Sequence, residues 1–118
     1  MQTFYKFFSN FFLTYIHFLW NMAYVITDYS REQAKKLGVE IKPSKDPDKK
    51  IDVFRNGRKI ATIGAKGYLY YPTYMKLEKR GKVPKGYADK RRRLYKIRHA
   101  NDIGIQNKNG YFANKILW

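Results

Sequence analysis

Cysteine is absent from this 118-residue chain. That excludes disulfides, thiol chemistry and cysteine-held zinc, and it fits an intracellular or virion setting better than secretion. Acidic residues are scarce, 9 against 25 Lys and Arg, and they are mostly scattered singly: Asp28, Glu32, Glu40, Asp46, Asp48, Asp52, Glu78, Asp89 and Asp102. A metal-dependent nuclease needs clustered acids, and Asp46 and Asp48 lack the further ligands of a calcium site. There are 2 histidines. His17 has no second histidine or carboxylate near it, and His99 has Asp102 close by but no nucleophile. No glycine-rich phosphate loop precedes a helix, and no Walker or zinc spacing occurs. These absences point away from catalysis, so no enzymatic activity, metal or cofactor is expected.

What is abundant is positive charge. The formal net charge is +16, which predicts attraction to polyanions: DNA, RNA, an anionic membrane face or an acidic protein. The charge is uneven, because residues 1–29 contain only Lys6 and Asp28 while holding eleven of the 21 aromatic residues. The chain therefore divides into an apolar aromatic arm, residues 1–26, and a basic domain, residues 27–118.

Phe7 to Ile26 runs 20 residues without Asp, Glu, Lys or Arg, about the length of one bilayer span. Asn10, Thr14, His17 and Asn21 fall on one narrow stripe of a helix. Three readings follow: a membrane helix with its stripe against a protein neighbour, a helix packed on protein, or an over-long reading frame whose true start is Met22. In the first two, Phe11, Phe12, Tyr15, Phe18 and Trp20 are the apolar anchor. In a spanning arm, Arg31, Lys35 and Lys36 keep the basic domain on the untranslocated side.

In the basic domain, Ser30 and Gln33 are spaced as a capping box, predicting a helix over Arg31 to Leu37 that stops at Gly38. KPSKDPDKK, residues 42–50, has two prolines and no periodic apolar face, so it reads as a loop. IDVFRNGRKIATIG, residues 51–64, predicts a hairpin with a type I′ turn at Asn56-Gly57. That turn sets Arg55 opposite Arg58, Val53 opposite Ile60 and Ile51 opposite Thr62. The facing arginines either splay into water or hold a bridging anion. In GYLYYPTYMKLEKRG, residues 67–81, Pro72 suits a first helical turn and Gly81 the end. Tyr68, Tyr70, Tyr71 and Tyr74 read as packing residues, with base stacking as the sharper role.

YADKRRRLYKIRHA, residues 87–100, predicts the longest helix. Tyr87, Leu94, Tyr95 and Ile97 share one broad face, with Lys90, Arg91 and Arg98 falling within it and Arg92, Arg93 and Lys96 opposite. Residues 76–99 carry eleven Lys or Arg against Glu78 and Asp89, and self-repulsion of that size implies a counter-charge. Arg55, Arg58, Lys90, Arg91, Arg92, Arg93, Lys96 and Arg98 are the candidate polyanion or partner contacts. The chain ends with Ile116, Leu117 and Trp118, which either close the core or anchor in a neighbour. The expected fold is α+β: a small antiparallel hairpin packed with two or three helices, after a separate apolar N-terminal helix.

Three separated stretches in the same order, KPSKDPDKKIDVFRNGRKIATIGAKGYLYYPTY, YADKRRRLYKIRH and GYFANKILW, resemble a family of small basic proteins of unknown function. Large double-stranded DNA viruses of algae, the chlorovirus group, encode that family. The resemblance covers about residues 30–118 and leaves out the arm before Met22. It implies a virion with an icosahedral shell, an inner membrane and tightly packed DNA. In that setting the first expectation is a minor capsid or cementing protein, bridging capsid proteins or shell and inner membrane through its basic surface and apolar ends. The alternative is a DNA-binding protein of the packaged genome, contacting phosphates without base readout. No small-molecule substrate is expected.

Overall fold

Asn56 and Gly57 both take left-handed backbone angles, φ 53 and 77, as a type I′ turn requires. The computed structural model describes residues 24–106 and 108–118. Residues 1–23 of the arm, including the anchor Phe11, Phe12, Tyr15, Phe18 and Trp20, fall outside that range; of its last three residues, Ile26 is buried in the core of the basic domain and Tyr24 packs against that core. Among the described residues, no helix is long and apolar enough to cross a membrane.

The turn joins β2 (Lys49–Arg55) to β3 (Arg58–Ala65). Arg55 faces Arg58, as expected, and Phe54 faces Lys59. Beyond that the register differs from expectation, because the ladder shifts by one residue between Phe54 and Val53. Val53 faces Ala61 and Ile51 faces Ile63, leaving Ile60 as the extra residue of a bulge. The shift sets Ile51, Val53, Ala61 and Ile63 into the core, where an unbulged ladder would have paired Ile51 with Thr62.

A third strand, β1 (Glu40–Pro43), pairs antiparallel with β2, giving the order β1-β2-β3. Residues 42–43 and 49–50, expected to be loop, are therefore strand. β1 has no apolar alternation because it is a largely exposed edge, where Pro43 is tolerated.

Helix α1 (Asp28–Leu37) starts three residues earlier than expected. Its cap is Thr27, whose Oγ1 accepts from the Ser30 N–H at 3.2 Å. Ser30 lies inside the helix, fully buried, and its hydroxyl donates to the Ile116 carbonyl at 2.9 Å. At the other end Gly38 takes φ 71, while its N–H and that of Val39 bond back to Lys35 and Ala34.

Helix α2 (Tyr71–Lys79) carries Pro72 in its first turn, and Gly81 takes φ 71 just past its end. Then come α3 (Tyr87–Arg98), the single turn α4 (Ala100–Ile103) and α5 (Asn109–Leu117). α2 packs on α3 as a helical hairpin, and α5 lies against β3 and α1. The α+β expectation holds, with one more strand than foreseen and, among the described residues, five helical elements where two or three were expected.

Phe112, Ile116 and Leu117 are fully buried and Trp118 nearly so, at the centre of the core with Ile51, Val53 and Ile63. The role of Ile116, Leu117 and Trp118 as an anchor for a neighbour is thereby overturned: these side chains are already covered by their own sheet and helices.

Candidate polyanion-binding surface

The α2–α3 hairpin carries its cations in two populations, outward and inward. On α2 and the turn after it, Lys76, Lys79, Arg80, Lys82 and Lys85 are exposed, as are Lys90, Arg93 and Arg98 on α3. The two acids of this stretch are engaged within the hairpin. Glu78 Oε1 accepts from the Ala88 N–H at 3.3 Å, satisfying a free donor in the first turn of α3. Asp89 Oδ1 accepts from the Tyr71 hydroxyl at 3.0 Å. Among the described residues, none of the eight exposed cations pairs with a carboxylate, whereas Lys36 pairs with Glu32, and His99 Nδ1 lies 3.5 Å from Asp102 Oδ2.

The inward population corrects the expectation that cations ring α3 as polyanion contacts. Arg91 and Arg92 are half-buried, their guanidinium carbons 5.6 Å from the Tyr74 ring centre and 4.6 Å from that of Tyr71. Lys96 is half-buried too and donates to Asn114 Oδ1 at 2.9 Å. Burial holds the Lys96 ammonium below the usual lysine range, with Arg92 and Lys115 adding repulsion. The expected apolar face holds only in part, since Tyr95 is buried and Tyr87 half-buried against Tyr74. Leu94 and Ile97 are exposed, while the buried residues of α3 are Ala88 and Tyr95. Tyr95 is stacked between His99, at 4.4 Å, and Trp118, at 4.5 Å. Long arginine stems complete the inner face, their apolar carbons covering tyrosine rings.

Arg55 and Arg58 stand at the β2–β3 tip, on different elements from the hairpin cluster. Of the four tyrosines, Tyr70 is buried, with its hydroxyl accepting from the Ala65 N–H at 2.8 Å. Tyr71 and Tyr74 are half-buried under arginines, and Tyr68 is exposed.

Two buried charges were not foreseen. Lys50 Nζ donates to the Tyr68 carbonyl and lies 4.8 Å from the Tyr24 ring centre and 4.6 Å from that of Tyr70. Burial brings its ammonium down to about 8. Asp52 accepts from Ser44 Oγ at 2.7 Å, Thr62 Oγ1 at 3.1 Å and the Lys45 N–H at 3.3 Å. Burial pushes its carboxyl up, but these bonds and the Lys59 charge outweigh it and hold it below the ordinary value. Both residues belong to the unbroken buried run of β2, from Lys50 to Val53, and a strand covered on both faces was the signal for them.

Among the described residues, no three His, Asp or Glu side chains converge as a metal site would. No known protein family, curated protein or solved structure matches the chain. The surface itself is what a functional reading has to rest on.

Proposed function

We propose that this is a non-enzymatic virion protein that lays the outer face of its α2–α3 hairpin on the phosphate backbone of nucleic acid, without reading bases. One observation carries the reading: eight exposed cations on one helical hairpin have no carboxylate partner, while both nearby acids are used internally. Unpaired charge of one sign on a rigid support is the electrostatic footprint of polyanion contact. The virion setting comes from the family resemblance, and packaged DNA is the polyanion it offers.

The test is fluorescence anisotropy of the full chain on duplex DNA from about 50 to 300 mM salt. Replacing Lys79, Arg80 and Lys82 with Ala is expected to reduce the log–log salt slope by about 0.9 for each phosphate that is no longer neutralised. An unchanged slope would overturn the reading.

A second reading, a cementing protein of the capsid shell, is supported by Ile97, 66% exposed, and Leu94, 38% exposed, among the cations of α3. Apolar side chains set in a basic surface suit an acidic protein face better than a phosphate backbone. Equal, weak binding to duplex and heparin, together with tight binding to an acidic capsid protein, would decide for it.

A further inference from the structure

Three of the most exposed apolar side chains stand on two segments that meet at one residue. Val25 is 80% exposed, Tyr68 67% and Leu69 44%. Lys50 joins the segments: its Nζ donates to the Tyr68 carbonyl at 2.6 Å and lies 4.8 Å from the Tyr24 ring centre. Both segments are fastened next to their exposed residues. Ile26 is buried beside Val25, and Tyr70 is buried beside Leu69, with its hydroxyl accepting from the Ala65 N–H. Singly exposed apolar side chains are ordinary, but an aromatic and two aliphatic ones gathered on a firm support mark a contact surface.

The surrounding charge is one indication of what covers them. Tyr68 and Leu69 line one cavity together with Lys49 and Arg98, and no Asp or Glu lines it. Asp48 reaches the loop through its carbonyl, which accepts from the Lys66 N–H at 3.0 Å, and its charge is outweighed by Lys49, Lys66 and Arg98.

Chain order is the other indication. The 20 residues from Phe7 to Ile26 hold no Asp, Glu, Lys or Arg, and this run ends on Tyr24, Val25 and Ile26. Any surface that takes up the run therefore meets the domain at Tyr24 and Val25, beside Tyr68 and Leu69. An acidic protein face would account for the cations but not for the uncharged run. A bilayer accounts for both. Aromatic rings sit at the headgroup level, aliphatic side chains reach the acyl boundary, and flanking cations meet anionic headgroups.

We propose that this end of the domain docks on an anionic lipid bilayer, with Val25, Tyr68 and Leu69 entering the headgroup layer. Apart from Arg98, the surface uses none of the outward-facing α2–α3 cations, so it stands or falls independently of the nucleic-acid reading. Together the two surfaces make the chain a link between a polyanion and a membrane.

The absence of cysteine allows a polarity-sensitive fluorophore to be placed at single sites of the full chain. Tyr68→Cys and Leu69→Cys carry it on the docking surface, Arg58→Cys on the hairpin tip and Arg80→Cys at the end of α2. Each protein is titrated with phosphatidylcholine vesicles and with vesicles containing about 30% phosphatidylglycerol. The expected result is a blue shift of the labels at 68 and 69 on the anionic vesicles, with those at 58 and 80 remaining in water. Leu69→Asp is expected to weaken vesicle binding about tenfold while leaving the salt slope on duplex DNA unchanged. Labels at 68 and 69 that stay in water while the chain sits on the vesicles overturn the proposal. So does a shift confined to the label at 80, which would place the α2–α3 cations on the lipid instead. Equal binding to pure phosphatidylcholine, or none to either vesicle, overturns it as well.

Discussion

Lys50 holds a positive charge where there is no carboxylate to meet it, between two tyrosine rings and one carbonyl. Its ammonium titrates at about 8, against 10.5 for an unburied lysine. Between those values the unfolded chain binds more protons than the folded one, so stability must rise with pH. The penalty is complete below about 8 and is relieved above it. Tyr24, Tyr29, Tyr70, Tyr71 and Tyr95 are all raised, first of all by burial. They act in the opposite sense, because the unfolded tyrosines ionise first, and so stability falls above about pH 10. Urea unfolding is therefore expected to show a gain of about 1–2 kcal/mol from pH 7.5 to 9.5. Lys50→Met should flatten that rise, and an equal rise in both proteins would refute the assignment. Asp52 has the contrary linkage: its lowered carboxyl contributes stability above its unfolded value, lost as pH falls through the folded one. Asp52→Ala strands three donors and is expected to cost about 2–3 kcal/mol at pH 7, measured by the same unfolding curves.

Elements with local chemistry were the legible ones. The Asn56-Gly57 turn, the glycine stop of α1 and the proline start of α2 are each decided by the backbone preferences of one or two residues. Gly38 shows how local that decision is. A Cβ there would meet no atom within 4 Å, yet φ is +71. Gly38→Ala is thus expected to cost about 1 kcal/mol through backbone strain alone, read as a lowered Tm. β1, the bulge at Ile60 and the inner face of α3 were not legible. An exposed edge strand has no alternation to detect, and a bulge changes pairing without changing composition. On α3 the arginines carry two uses that look alike in sequence. Arg91→Ala with Arg92→Ala uncovers Tyr74 and Tyr71 and is expected to lower stability by about 1–2 kcal/mol. Replacing the exposed Lys79, Arg80 and Lys82 should leave the Tm nearly unchanged while reducing DNA affinity. Thermal unfolding beside anisotropy separates the two populations.

Across the whole molecule, α5 and Trp118 hold the parts together. The Ser30 hydroxyl ties α1 to the Ile116 carbonyl, the Thr62 N–H of β3 donates to Asn109, and Trp118 stacks on Tyr95 of α3. Trp118→Ala is expected to cost about 3–5 kcal/mol, a large share of the stability of a domain this size. The check is a calorimetric Tm; a small shift would mean that the stack is dispensable. Composition and short-range pattern were enough to specify a basic α+β domain, its hairpin turn, the glycine stop of α1 and the proline start of α2, because charge totals and backbone propensities belong to single residues and near neighbours. Packing had to decide which cations face solvent, whether the final apolar residues serve the core or a partner, and that Tyr24 and Tyr68 meet at Lys50. Those outcomes depend on which side chains from distant segments cover one another, and covering is a property of the assembled layers.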